Sequence, residues 1–163
     1  MTVKDITKYG IFISIVLVTT YSTQIPIGFA VVHAGDAVLF TIAVVFGKKA
    51  GAISGGIGMA LFDVLSSFAS YAPGTLVIRL LCGFVIGLIA HSNNKQGYSL
   101  IRNIIAMAVG SMIIVSGYFF YELLLYKNIG SASAGLVGNL AQVTFGLLVA
   151  IPIIKLVQRS IVK

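Results

Sequence analysis

Long runs of uncharged apolar residues, separated by short basic breaks, constrain the fold of this chain more than any other feature. Of its 163 residues, 58% are hydrophobic and only 9% are charged, whereas soluble domains carry about 25% charged residues. In a bilayer, the backbone polar groups of a spanning segment must be paired, which leaves helices and closed barrels as the possible structures. The length of the runs predicts an all-α integral membrane protein.

The basic breaks divide the chain into six predicted transmembrane helices, packed as one bundle in a single integral membrane domain, residues 1–163. The predicted helices cover residues 9–22, 34–47, 50–67, 75–91, 99–126 and 132–157. With six spans, the two termini fall on one side together with the second and fourth connections, and nine of the eleven basic residues lie there. Because the cytoplasmic side carries the excess of Lys and Arg, the N- and C-termini are predicted to be cytoplasmic.

The segment between the first two helices is apolar but is interrupted by Pro26 and Gly28, which disfavour a continuous helix. The second helix has about 13 residues and therefore covers roughly 20 Å of a hydrocarbon layer about 30 Å thick. The apolar first loop, Ile25–Val32, can supply the missing depth by dipping into the bundle. Irregular backbone is tolerated at that depth when it is buried in protein or lines a cavity, so this loop is a candidate lid.

The composition argues against several classes of function. The basic residues stand at the ends of apolar runs and form no patch interleaved with aromatics, so we expect no nucleic-acid partner. Cys82 is the only cysteine, which excludes an internal disulfide and a metal site built from cysteines. The sequence contains no nucleotide-binding loop and none of the common catalytic motifs. We therefore expect no enzyme activity, no cofactor and no metal, and the chain cannot use ATP by itself.

Polar side chains inside the last two apolar runs mark a candidate site. Helical spacing places Tyr118, Tyr121 and Glu122 on one face of the fifth helix, and places Asn139 and Gln142 on one face of the sixth. Such groups are costly in hydrocarbon unless they meet a partner or a ligand. With the predicted orientation, the embedded charged side chains all fall in the outer half of the bundle. This distribution favours a cup that opens outward, because a channel would need polar groups along its whole length.

Three further residues are candidates for the same site. Arg79 is expected to pair with Asp63 or Asp36, since an isolated cation at this depth is unstable. His33 lies in the dipping loop, where it either contacts a ligand or is only polar surface. Simpler interpretations stay open for the rest: the tyrosines and Glu122 would also suit a membrane boundary, and the two amides would also suit a helix–helix contact.

Five motifs follow one another in order along residues 25–155: His33–Phe40, Phe46–Ala52, Gly55–Asp63, Ala72–Arg79 and Gly138–Gln142. This series resembles the substrate-binding S components of energy-coupling factor (ECF) vitamin transporters, in particular the branch associated with hydroxymethylpyrimidine or vitamin B6 compounds. The resemblance implies a six-helix bundle that holds a vitamin near its outer face, and a multi-pass location in a bacterial plasma membrane. It also implies two kinds of partner, a transmembrane coupling subunit and two cytoplasmic ATPase subunits.

The resemblance and the polar residues together predict high-affinity binding and uptake of a small water-soluble vitamin or precursor, of the pyridoxine or hydroxymethylpyrimidine type. The predicted substrate contacts are Tyr118, Tyr121, Glu122, Asn139, Gln142, His33, Arg79 and Asp63. The alternative of the same class is an S component for another vitamin such as riboflavin. Alternatives of another class are a small membrane enzyme acting on a lipid or isoprenoid and a scaffold subunit without a ligand.

The docking surface for the coupling subunit departs from the pattern that the resemblance implies. The family often carries Ala-x-x-x-Ala on the first helix, whereas this chain has Gly10-x-x-x-Ser14. A ridge of small residues on the third helix, Ala52, Gly56 and Ala60, is a second candidate, because small residues four apart let helices approach closely.

Overall fold

Six α-helices and one short β-hairpin form the part of the chain that the computed structural model describes, residues 2–27 and 30–161. The helices are α1 (Val3–Ser22), α2 (Gly35–Phe46), α3 (Lys48–Leu65), α4 (Ala72–Ala90), α5 (Leu100–Tyr126) and α6 (Ile129–Ile161). Strands β1 (Ile25–Ile27) and β2 (Ala30–Val32) pair antiparallel between α1 and α2. The tip of the predicted first loop, residues 28 and 29, and the last two residues of the predicted domain lie outside the described residues.

The helices α1 and α3 begin earlier than predicted because of the residues that precede their apolar runs. The Thr2 hydroxyl accepts a hydrogen bond from the Asp5 N–H, and the Asp5 carboxylate accepts one from the Thr2 N–H. This capping box starts α1 at Val3 rather than at residue 9. Gly47, at φ 85°, reverses the chain within one residue. As a result, α3 follows α2 directly and starts at Lys48 rather than at residue 50.

The other helix starts and ends differ from the prediction for similar local reasons. α4 begins at Ala72 with Pro73 in its first turn, where the missing N–H of proline does no harm. Asn128 Oδ1 accepts hydrogen bonds of 2.8 and 3.2 Å from two backbone N–H groups of the next turn, so α6 begins at Ile129 rather than at residue 132. α3 ends at Leu65 rather than at 67, because Ser66 is extended.

Among the described residues, three segments are long and apolar enough to cross a membrane: Ala69–Ala90, α5 and α6. The helix α2 is apolar but has only 12 residues, which is about 18 Å. The hairpin lies between α1 and α2, directly before the helix that is too short to span the hydrocarbon layer. The sequence predicted this segment as a loop and not as a hairpin, because its apolar run has too few residues to show a strand pattern.

Four connections and termini gather at one end of the bundle, which we call the basic end. The Lys8 ammonium lies 5.6 Å from the centre of the Phe46 ring, joining the start of α1 to the end of α2. His91 Nε2 lies 2.9 Å from the Val44 carbonyl oxygen, joining α4 to α2. The Gln158 amide donates a 2.7 Å hydrogen bond to a carbonyl of the α4–α5 connection, which brings the end of α6 to the same place.

The opposite end, which we call the hairpin end, holds the hairpin and the α3–α4 and α5–α6 connections. The Ala34 N–H donates to the Thr23 hydroxyl at 2.9 Å, which closes the base of the hairpin. The hydroxyl groups of Tyr71 and Tyr126 lie 3.0 Å apart and join the α3–α4 connection to the end of α5.

The α3–α4 contact is made by glycines at backbone distance. A Cβ added at Gly83 would lie 2.3 Å from the Gly51 carbonyl oxygen, and one added at Gly87 would lie 2.3 Å from the backbone nitrogen of Lys48. These distances leave no space for a side chain, so the two helices touch through their backbones in the half next to the basic end.

The predicted small-residue ridge on α3 is part of the same contact. A Cβ added at Gly56 would lie 3.0 Å from the Leu80 Cβ of α4, and Ala52 is only 6% exposed. In this structure α4 packs against Gly56, and Ala52 is buried, whereas Ala60 is half-buried. Docking of the coupling subunit on the ridge Ala52, Gly56 and Ala60 stays a prediction.

Candidate functional site

A cavity of about 120 Å³ lies at the hairpin end, between the β2–α2 segment, the α3–α4 connection and helices α3 to α6. Its walls combine carboxyl, guanidinium, amide and hydroxyl groups with aromatic rings. The lining residues are Val31, His33, Phe62, Asp63, Phe68, Tyr71, Thr75, Arg79, Tyr118, Glu122, Gly135, Gly138, Asn139 and Gln142.

Seven of the eight predicted contact residues line this one cavity: His33, Asp63, Arg79, Tyr118, Glu122, Asn139 and Gln142. Tyr121 lies outside it. Its hydroxyl donates a 2.8 Å hydrogen bond to the Ser70 carbonyl oxygen, and its ring packs against Gly74. Tyr121 therefore fixes the α3–α4 connection to α5 in this structure. Contact of the other seven side chains with a ligand stays a prediction.

Arg79 and Asp36 form a buried ion pair between α4 and α2, with side chains 4% and 0% exposed. The sequence left Asp63 and Asp36 open as partners of Arg79, and the structure selects Asp36. It is the one ion pair found within residues 2–27 and 30–161. Arg79 Nε also donates to the Tyr118 hydroxyl at 3.4 Å, and that hydroxyl lies 2.8 Å from the hydroxyl of Thr75. The guanidinium is thus held in place by several groups.

Gln142 ties the hairpin to α6. Its Oε1 accepts a 2.8 Å hydrogen bond from the His33 N–H, and its Nε2 donates to the His33 carbonyl oxygen at 3.0 Å. The same Nε2 lies 3.1 Å from Asp36 Oδ2. Because both ends of the amide are engaged, Gln142 positions the hairpin and the ion pair in this structure, in addition to lining the cavity.

The His33 ring is neutral in this setting. Its Nδ1 accepts a 3.2 Å hydrogen bond from the Gly35 N–H, which places the ring proton on Nε2. Burial lowers the pKa of His33 to about 4, although the nearby Asp36 carboxylate opposes part of that change. A neutral ring with its N–H at Nε2 presents a hydrogen-bond donor near the cavity that it lines.

Two carboxyl groups of the cavity each have an oxygen without a hydrogen-bond partner among the described residues, Asp63 Oδ2 and Glu122 Oε2. Both residues are only 7% exposed. The Glu122 carboxylate lies directly against α6, since a Cβ added at Gly135 would be 1.9 Å from Glu122 Oε2. Glycine at position 135 therefore makes the room that the carboxylate occupies.

A second cavity of about 430 Å³ adjoins the first one at the α5–α6 turn. It shares Tyr71, Glu122 and Gly135 with the first cavity and is also lined by Tyr126 and Ser131. Glu122 therefore stands at the boundary between the two spaces.

Comparison with known proteins establishes the family. Residues 1–159 match the family described as ECF-type riboflavin transporter, S component. The chain belongs to this family. It is 31% identical over 136 residues to a Pyrococcus woesei protein described as an uncharacterized protein in gap 3'region, covering 82% of this chain and 88% of the relative. It is also 30% identical over 125 residues to the thiamine precursor transporter HmpT of Lactococcus lactis subsp. cremoris (strain MG1363), covering 77% of this chain and 68% of the relative.

Membership confirms three of the sequence predictions. An S component is the membrane-embedded subunit of a transporter, so this one is a multi-pass protein of the cell membrane and is not an enzyme. It serves transport of a vitamin or vitamin precursor rather than chemistry on a lipid.

Sequence reasoning missed half of the cavity wall of this S component. Phe62 and Phe68 line it as aromatic surfaces, and Tyr71 and Thr75 add hydroxyl groups. A signal for two of these residues was present, because Tyr71, Thr75 and Arg79 recur every four residues and therefore lie along one side of a helix.

Proposed function

We propose that this S component binds a small single-ring vitamin or vitamin precursor, of the hydroxymethylpyrimidine or pyridoxine type, in the cavity at the hairpin end. The size and polarity of the cavity carry the proposal. Its volume of about 120 Å³ is below the range of pockets for drug-sized ligands, which measure about 300–1,000 Å³. A single ring with short polar substituents suits this space. The 30% sequence identity to a transporter named for a thiamine precursor supports a pyrimidine as the ligand.

Riboflavin is the second candidate, and two observations favour it. The matching family is described by that vitamin, and the adjoining cavity of about 430 Å³ shares three lining residues with the first. A ligand with three fused rings and a sugar-like chain would have to extend across Tyr71 and Glu122 into that second space.

The proposal includes an orientation with six spans in one domain of residues 1–163, both termini in the cytoplasm and the hairpin end outside. The basic end supports it, because Lys8, Lys48, Lys49, Lys95 and Arg102 all lie there and cytoplasmic segments carry such an excess. In this orientation the hairpin covers the cavity from the outside.

The proposed partners are a transmembrane coupling subunit and two cytoplasmic ATPase subunits. The Gly10–Ser14 face of α1 is the surface that we propose for docking. Among the described residues, no atom lies within 4 Å of a Cβ added at Gly10, and Ser14 is exposed. The Ser14 hydroxyl donates to the Gly10 carbonyl oxygen of its own helix at 2.9 Å, so this face is open to a second helix.

Isothermal titration calorimetry on the purified protein in detergent tests the ligand. We expect 4-amino-5-hydroxymethyl-2-methylpyrimidine or pyridoxine to bind more tightly than riboflavin, and Asn139→Ala to weaken that binding by about 3- to 10-fold through loss of one hydrogen bond. Thr144→Ala is the matched control, because Thr144 is exposed on the same helix and its hydroxyl bonds to the Leu140 carbonyl oxygen. Tighter binding of riboflavin would contradict the single-ring proposal, and unchanged affinity of Asn139→Ala would remove that residue from the site.

Gly135→Ala tests the role of Glu122 without changing the carboxylate itself. The new methyl group would occupy the place of Glu122 Oε2 and push the carboxylate out of position. We expect affinity for the bound pyrimidine or pyridine to fall by about tenfold or more, as for a lost hydrogen bond to a charged group. Gly10→Ala, which meets no neighbour, should leave affinity unchanged. Equal affinities of Gly135→Ala and Gly10→Ala would show that Glu122 is not needed for binding.

A further inference from the structure

We infer that the cavity selects a neutral or cationic ring that presents hydrogen-bond donors on two of its edges, and that it rejects the phosphate ester of the same ring. The inference rests on the proposed function and specifies the chemical class of ligand within it. The buried carboxyl groups that the protein itself leaves without donors carry the argument.

The two carboxyl groups come from different walls of the cavity. Asp63 is at the end of α3 and Glu122 is near the end of α5, and each is more than nine-tenths buried. Within the described residues, Asp63 Oδ2 and Glu122 Oε2 find no hydrogen-bond donor. An ionised carboxylate can only accept hydrogen bonds, and a buried acceptor without a donor is costly. A ligand that brings an N–H or O–H group to each wall removes that cost.

The cationic group of the cavity is already engaged elsewhere. The Arg79 guanidinium pairs with Asp36, and its Nε donates to Tyr118. With the charges of Arg79 and Asp36 offsetting each other and His33 neutral, Asp63 and Glu122 leave the cavity acidic. The chain as a whole is strongly basic, with a formal net charge of +7. The acidic character is therefore local to the cavity.

Three neutral donors of the wall, those of Thr75, Tyr118 and Gln142, are also committed to protein partners. The hydroxyl groups of Thr75 and Tyr118 lie 2.8 Å from each other, and the Gln142 amide donates to the hairpin. These bonds position the wall and leave Asp63 and Glu122 to be satisfied by the ligand. Amino and hydroxymethyl substituents on a small heterocycle supply the required donors.

A phosphate ester fails on both counts. It carries about −1.5 to −2 charges at pH 7 and adds acceptor oxygens only. The ester keeps the other donors of the ring but loses the hydroxyl that is esterified, and its phosphate adds like charge to an acidic, buried space. Like charges brought together in an interface are strongly unfavourable, so we expect the ester to bind more weakly than its parent compound.

Calorimetry with three matched pairs tests the inference on the full chain in detergent: 4-amino-5-hydroxymethyl-2-methylpyrimidine and its phosphate, pyridoxine and pyridoxine 5′-phosphate, and riboflavin and riboflavin 5′-phosphate. In whichever pair binds, we expect the unphosphorylated compound to bind at least about 100-fold more tightly. An ester that binds within about threefold of its parent, or more tightly, would overturn the inference.

Glu122→Gln and Asp63→Asn separate a role in charge selection from a role in structure. Each amide keeps the shape of the side chain and removes one negative charge. We expect affinity for the unphosphorylated compound to fall about tenfold while the preference over the ester becomes smaller. Equal losses for both compounds, with an unchanged ratio, would count against the inference. Asp5→Asn, in the first turn of α1, is the matched control and should change neither affinity.

The same titrations distinguish this inference from the proposed function. Binding of riboflavin alone would refute the single-ring proposal. The affinity of riboflavin 5′-phosphate relative to riboflavin would then test whether the cavity rejects phosphate esters. Binding of none of the unphosphorylated compounds would overturn both. If one amide variant fails to elute as a single species in size-exclusion chromatography, the wild-type ratio and the other variant still decide the outcome.

Discussion

Arg79→Met is expected to lower the free energy of unfolding by about 3–5 kcal/mol, because removal of one partner leaves the other as a buried charge. The remaining partner is Asp36, whose side chain is 0% exposed. Methionine keeps much of the length of the arginine side chain, so the loss reports the charge rather than a cavity. Arg79 also contacts Tyr118, and we expect the cavity wall to loosen along with the ion pair.

Unfolding can be followed through the single cysteine. Cys82 is fully buried, so a thiol-reactive fluorophore will label it only when the bundle opens during a thermal ramp. Lys155→Met, at an exposed position on α6, is the matched control and should unfold like the wild type. The double variant with Asp36→Leu should regain most of the lost stability, because both charges are then absent. A double variant no more stable than Arg79→Met would show that the ion pair is not the cause.

Gly83→Ala is expected to be the second most damaging change, at about 3 kcal/mol, the upper end for overpacking in a rigid environment. The added methyl carbon would lie 2.3 Å from the Gly51 carbonyl oxygen. Since that neighbour is backbone, no side-chain rotation can relieve the contact and the two helices must separate. The same cysteine assay reports the result, since Cys82 is adjacent to the substituted residue.

Gly10→Ala is the matched control for this prediction. No atom lies within 4 Å of a Cβ at that position, and alanine is the better helix former by about 1 kcal/mol. We expect the control to unfold at or slightly above the wild-type temperature. A loss of stability in Gly10→Ala as large as in Gly83→Ala would mean that glycine is needed in these helices for a reason other than close packing.

Hydrophobicity located the helices well but not their termini. The bilayer determines where apolar residues stop, whereas hydrogen-bonded caps determine where a helix begins, as Thr2 and Asn128 show for α1 and α6. The family resemblance rested on ordered motifs and is confirmed by the match over residues 1–159. Because an isolated buried charge is unfavourable, the sequence predicted that Arg79 pairs with Asp63 or Asp36. Only the packing of α2 against α4 in the structure identifies Asp36 as the partner.

The candidate site was predictable in its polar residues and not in its arrangement. Tyr118 and Tyr121 are three residues apart and so point about 60° apart around α5, which is enough to put one at the cavity and the other against Ser70. The bonds between Gln142 and the hairpin join residues 109 positions apart, and local sequence patterns carry no information on such contacts. The substrate specificity remains a proposal for the same reason.

The glycine contacts between α3 and α4 also imply that the two halves of the molecule differ in stiffness. Toward the basic end, Gly51, Gly83 and Gly87 bring backbone against backbone, and rigid surfaces of this kind resist sliding. Toward the hairpin end, the connections around the cavity are joined to α5 and α6 through tyrosine hydroxyls and a side-chain amide, which can exchange partners by rotation about single bonds. We therefore expect a ligand to be admitted by rearrangement of side chains above a stationary base.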